Sequence, residues 1–115
     1  MQITLPFPPS VNGLYSTDFR TKRRFKSKRY NDWCGQAETA LFYNKDRSSF
    51  SEPIKITYIY GRPDKRKRDL ANLLKAVDDL LVTYGVIADD SLIHEIHASW
   101  GDVIGVQLTI EAMAK

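Results

Sequence analysis

The amino-acid sequence predicts an α+β fold, a small mixed β-sheet of about four or five strands packed with two α-helices, in a single domain over residues 1–115. Three observations carry this expectation. Two segments, 27–44 and 69–84, repeat apolar residues at three- and four-residue steps. The stretches 2–5, 53–61 and 93–112 are instead rich in β-branched and aromatic residues with strand-like patterning. Finally, 115 residues at 43% hydrophobic composition suffice for one core without cross-links.

Taken in order, residues 2–5 read as a short strand, stopped by Pro6, Pro8 and Pro9, which cannot donate to a ladder. From Ser10 to about Lys28 the chain is polar, basic and too irregular for a helix. Ser27 is placed to cap a helix running to about Asn44, on which Tyr30, Trp33, Cys34, Ala37, Ala40 and Leu41 make one apolar stripe. After a loop at 46–51, Ile54, Ile56, Tyr58 and Tyr60 alternate with Lys55, Thr57 and Ile59, a strand with one well-buried face that ends at Gly61-Arg62-Pro63. The strongest helix signal runs from about Asp69 to Tyr84, through Leu70, Leu73, Leu74, Val77, Leu80 and Leu81. Gly85 is the expected left-handed residue at its end, with Val86 as the hydrophobic contact. Beyond an acidic turn at Asp89-Asp90-Ser91, Ile93–Trp100 and Val103–Ala112 read as two strands joined in a hairpin by Gly101-Asp102.

Several function classes are excluded by what the sequence lacks. A lone Cys34 cannot form an internal disulfide, and it sits on an apolar stripe without the cations that would make it a nucleophile. No apolar run approaches the roughly 20 residues of a membrane helix, and the first residues have no signal-peptide pattern. A soluble intracellular protein is expected, with no membrane partner. There is no P-loop, dinucleotide fingerprint or CxxC, so no small-molecule organic cofactor is expected. His94 and His97, three apart on a strand, point to opposite faces and make a poor metal pair.

Charge is more informative by position than in total. The balance of 17 Lys+Arg against 14 Asp+Glu gives only +3. Yet Arg20, Lys22, Arg23, Arg24, Lys26, Lys28 and Arg29 put seven cations in ten residues, and Arg62, Lys65, Arg66, Lys67 and Arg68 add five in seven. Two such runs in one small domain are the footprint of a phosphate backbone. Tyr15, Phe19 and Phe25 interleave with the first run, either to stack on opened bases or to anchor the loop.

Immediately after the second run, Asp69, Asp78, Asp79, Asp89 and Asp90 fall within 22 residues. Singly, each has a structural reading. Asp69 sits at a helix start, where Asp is a preferred cap. Asp78 and Asp79 are expected on the outer, solvated side with Lys75 one turn back, and Asp89 and Asp90 are expected in a turn. Spacing alone does not say whether the Asp89-Asp90 turn reaches back to the helix start. If it does, Asp69 and Asp90 meet beside a basic loop, an arrangement suited to holding Mg²⁺ (or Mn²⁺) against a phosphodiester. Lys75 would then stabilise the developing negative charge.

The segments PFPPSVNGLY, RPDKRKRDLANLLKAVDDLL and GVIADDSLI together resemble the RusA family of Holliday junction resolvases, and the similarity spans Ile3 to about Met113. Its central pattern is a basic run leading into R-D-x-D-N-L-x-K-A-x-x-D-x-L and then G-x-x-x-D-D. The resemblance implies a homodimeric, divalent-metal-dependent endonuclease that resolves four-way DNA junctions by paired nicks, working in the cytoplasm of a bacterium or a phage-infected cell. It also implies catalytic roles for Asp69, position 71, Lys75 and Asp90, with Asp69 and Asp90 as metal ligands. DNA contacts fall to Arg20, Lys22, Arg23, Arg24, Lys26, Lys28, Arg29, Lys65, Arg66, Lys67 and Arg68. Asn72 matches the motif Asn. Position 71, however, is Ala71 where the pattern has Asp, and a methyl group neither ligates a metal nor accepts a proton. Either a natural departure has impaired cleavage, or a deliberate Asp→Ala change lets the protein hold DNA uncut; the intact remainder of the motif favours the second. Two other readings stay open: a non-catalytic, structure-selective DNA-binding protein, and an RNA- or nucleoprotein-binding module in which the acids are only caps and turns.

Overall fold

A computed structural model describes residues 1–113. The elements, in order, are β1 (Gln2–Leu5), β2 (Tyr15–Thr17), β3 (Arg24–Lys26), α1 (Lys28–Tyr43), β4 (Ile54–Gly61), α2 (Leu74–Thr83), β5 (Ile93–Gly101) and β6 (Val106–Ala112). Short 3-10 turns at Val11–Gly13, Leu70–Leu73 and Asp90–Leu92 link them. The architecture is the expected α+β one: a mixed four-stranded sheet in the order β1-β6-β4-β5, a separate two-stranded sheet of β2 and β3, and two α-helices.

The alternation in β4 decides which face is covered. Ile54, Ile56, Tyr58 and Tyr60 are fully buried, while Lys55, Thr57 and Ile59 are only partly so. Ile3 and Leu5 of β1 and Val106, Leu108 and Ile110 of β6 continue the buried face. Against it pack Tyr30, Trp33 and Ala37 of α1 and Ala76, Val77, Leu80 and Leu81 of α2, which makes a two-layer core. The helix ends are satisfied locally. Ser27 Oγ accepts the Tyr30 N–H at 3.1 Å and itself donates to the Gly13 carbonyl at 2.6 Å, so the cap also ties α1 to the preceding turn. At the end of α2, Gly85 (φ +74°) turns the chain, the Val86 N–H bonds the Leu81 carbonyl at 2.9 Å, and the Gly85 N–H bonds Val82 at 3.1 Å.

Three expectations are corrected. First, β5 and β6 are not a hairpin. Strand β4 lies between them, parallel to β5 and antiparallel to β6. The chain climbs β4, crosses through α2 to β5, and then carries residues 102–105 over the end of β4 before descending as β6. Gly61 permits that crossing: a Cβ there would lie 1.6 Å from the Val103 carbonyl oxygen, and its N–H bonds the Gly105 carbonyl at 2.8 Å. Second, the basic stretch after Ser10 is not all loop, since Tyr15, Ser16 and Thr17 pair with Lys26, Phe25 and Arg24. Third, the second helix begins as a 3-10 turn and becomes α-helical only at Leu74, where Tyr60 donates its hydroxyl to the Leu73 carbonyl at 2.8 Å.

Candidate functional site

Lys75 lies near the start of α2 and pairs with Asp79 one turn on at 3.2 Å. That partner raises the lysine's pKa, with smaller contributions from Tyr15 and Asp90. Asp90 opens the 3-10 turn before β5 and lines a cleft with Tyr15, Lys26, Tyr30, Asp79 and Asp89. The adjacent Asp89 is a turn residue as expected: its side chain takes the Ser91 N–H at 3.1 Å and the Ser91 hydroxyl, which holds its carboxyl below the usual range.

Asp69 behaves differently from its sequence reading. It occupies the cap position before the 3-10 turn, in extended conformation (φ −92°, ψ 123°), but its side chain caps nothing. Among the described residues the exposed Asp69 carboxylate has no hydrogen-bond or ion-pair partner, and the same holds for Asp90. Asp69 lines a second cleft with Ser10, Lys67, Arg68, Asn72 and Leu73. Asp90 and Asp79, the partner of Lys75, thus line one cleft and Asp69 lines a basic one; Ala71 is exposed. A divalent cation needs several oxygen donors converging on one point. Among the described residues no three Asp, Glu, His or Cys side chains do so, and position 71 offers a methyl group.

Asp78 was expected on the solvated face, and it is not there. It faces β4 and accepts the Tyr58 hydroxyl at 2.5 Å. Burial pushes its carboxyl up to about 6, against the Tyr58 bond, which favours the charged form; Asp79 and Asp90 add to the rise. A buried tyrosine needs a hydrogen-bond partner, and that requirement was the signal in the sequence: Tyr58 points inward and needs an acceptor from the covering helix. A folded-state pKa of about 6, above the unfolded carboxyl near 4, means that the native chain holds the proton more tightly. Stability therefore falls as pH rises from about 4 to about 6 and stays lower above, by about 3 kcal/mol in the simplest linkage. Asp78→Asn keeps an oxygen for Tyr58 and removes the charge. Urea unfolding should show the variant more stable by about 1–3 kcal/mol at pH 7.5, with the gain vanishing toward pH 4. An equal difference at both pH values would refute this account.

The two basic runs converge. Arg29, from the start of α1, lines one cleft together with Arg66, Lys67 and Arg68 of the loop after β4. Lys26 of β3 lies in the Asp90 cleft. Some cations are already engaged: Arg66 and Arg68 both bind Asp64, at 3.0 and 2.6 Å, which drives that carboxyl well below its usual range, and Lys28 pairs with Asp32 at 2.7 Å. Arg20, Lys22 and Arg23 at the β2–β3 turn, with Arg24 on β3 and Lys65 and Lys67, are exposed. Some of the cations rest on aromatic rings, pairings that depend on tertiary placement: Arg24 lies 4.2 Å over the Tyr15 ring, Lys26 5.0 Å over Tyr30, and Arg62 4.2 Å over Trp100.

Known proteins resemble this chain along most of its length. The family model described as "Endodeoxyribonuclease RusA" matches residues 6–111. A crossover junction endodeoxyribonuclease RusA from Aquifex aeolicus is 36% identical over 75 residues, covering 64% of this chain and 58% of that protein. The protein of the same name from Shigella sonnei is 36% identical over 91 residues, and that from Enterobacteria phage 82 is 34% identical over 90; each match covers 77% of this chain and 72% of the relative. No helix among the described residues is long and apolar enough to cross a membrane.

Proposed function

The chain belongs to the RusA family of endodeoxyribonucleases, and from that premise we propose that it binds four-way DNA junctions as a two-fold dimer and, with Ala71 in place, cuts them poorly. The observation that carries this reading is the meeting of the two basic runs around the acids: Arg29 with Arg66, Lys67 and Arg68 in one cleft, Lys67 and Arg68 with Asp69 in the next. Phosphates enter such clefts by displacing bound cations, and their register is set by backbone contacts rather than base edges. Lys75, paired with Asp79, would meet the charge that develops on a scissile phosphate. Asp69 and Asp90 are the oxygen ligands left for Mg²⁺ or Mn²⁺, and the metal-dependent nick belongs to a chain that also carries a carboxylate at 71.

Resolution needs two matched nicks, which a two-fold dimer supplies. The free edge of β5 suits such a dimer. Ile96 is 47% exposed there, and antiparallel pairing centred on it would set Glu95 of one copy opposite His97 of the other. Titrating salt against junction binding tests the proposal. The affinity should fall steeply with log salt, by a slope of several units, with two chains per junction and weak competition from linear duplex or RNA. A flat slope, or equal competition by RNA, would reject it in favour of an RNA-binding or neutral-surface reading.

A further inference from the structure

Phe19 is the most exposed large hydrophobic residue among those described, at 98%. It sits in the turn between β2 and β3, and this turn is tightly built. The Asp18 N–H bonds the Arg23 carbonyl at 3.0 Å, the Lys22 N–H bonds the Asp18 carbonyl at 2.7 Å, and the Arg20 N–H bonds the Asp18 side chain at 2.8 Å. Lys22 takes a left-handed conformation (φ +56°) to close it. The base of the hairpin is equally fixed, with Tyr15 edge-on to Tyr30 at 5.9 Å under the Arg24 guanidinium. Of the three aromatics interleaved with the first basic run, Tyr15 is thus covered and Phe25 is half exposed at 50%. Only Phe19 presents both ring faces to solvent, flanked by exposed Arg20, Lys22 and Arg23.

Resting on the junction-binding reading above, we propose that Phe19 is a wedge that stacks on a base unstacked at the junction crossover. Cations on either side would hold the two backbones while the ring replaces a lost base neighbour. At the crossover the continuous stack is already interrupted, so opening a base there costs least. A ring on an ordered hairpin gives up little conformational freedom on binding, unlike one on a mobile loop. A lone aromatic ring among cations, rather than a broad apolar patch, fits a stacked base better than a lipid surface.

The test uses the whole protein and a four-way junction carrying 2-aminopurine at the crossover. The unmodified chain should raise the probe's fluorescence on binding; Phe19→Ala should lose most of that rise and bind about tenfold more weakly, and Phe19→Trp should keep both. Linear duplex with an internal 2-aminopurine should show no Phe19-dependent change. If the unmodified chain shows no preference for junction over duplex, the junction reading and the wedge fall together. If it prefers the junction but Phe19→Ala leaves the fluorescence unchanged, the wedge alone is overturned. It is also overturned if the substitution abolishes binding to anionic vesicles while sparing the junction signal.

Discussion

The Ala71→Asp variant should cut a four-way junction in Mg²⁺ at least about 100-fold faster than the chain as it stands, the scale of one positioned catalytic group. The local backbone supports this expectation. In a regular α-helix, side chains two residues apart diverge by about 200°, which would aim positions 69 and 71 away from each other. Here Asp69 lies outside the helix with extended dihedrals, and Ala71 belongs to the 3-10 turn Leu70–Leu73. Two carboxylates at 69 and 71 are therefore not held to helical divergence. Ala71 is also exposed, so the added charge is solvated and the fold is undisturbed. Cleavage is measured on gels with junction in excess, and Asp69→Asn in the same background should remove the gain. A folded Ala71→Asp protein that binds the junction and still does not nick it would rule out the missing carboxylate as the cause.

Gly61→Ala should destabilise the fold more than any surface change, by about 3 kcal/mol or more. Its Cβ would fall 1.6 Å from the Val103 carbonyl oxygen, so backbone and not a side chain has to move. Gly101→Ala is the contrasting case: there the nearest atom is the Ile59 Cγ2 at 2.4 Å, the end of a side chain that can rotate. Thermal melts should therefore show a drop of about 10 °C or more for Gly61→Ala and a smaller one for Gly101→Ala. Equal effects would show that the crossing over β4 has slack.

How much was legible in the sequence follows from how local each signal is. The Ser27 cap, the Gly85 turn and the alternation in β4 are short-range patterns, and all three stand in the structure. The Gly101-Asp102 signal is just as local, but strand partners are chosen by the whole sheet. The fully buried side chains of β4 need neighbours on both sides, which places β5 and β6 apart. The β2–β3 hairpin was hidden because its three-residue strands are almost wholly exposed and show no alternation. At the site, residue types and motif spacing single out Asp69, Lys75 and Asp90 as candidates, whereas their grouping depends on tertiary placement. Asp78 is expected on the outer, solvated side because its charge and the nearby Lys75 suit a solvated ion-pair face; the buried Tyr58 hydroxyl, a tertiary partner, draws it inward instead.

The position of β6 between β1 and β4 bears on how the chain folds. Strand β4, helix α2 and strand β5 follow one another and can assemble as a local unit, but β1 has no neighbour in the sheet except β6. The bond from the Met1 amino group to the Ile110 carbonyl closes a separation of 109 residues. Closing so long a loop is entropically slow, and until it happens the outer edge of β6 stays open, with Val106, Leu108 and Ile110 beside it. The late docking of β1 on β6 is thus the step at which nascent copies are most exposed to pairing with each other instead of with themselves.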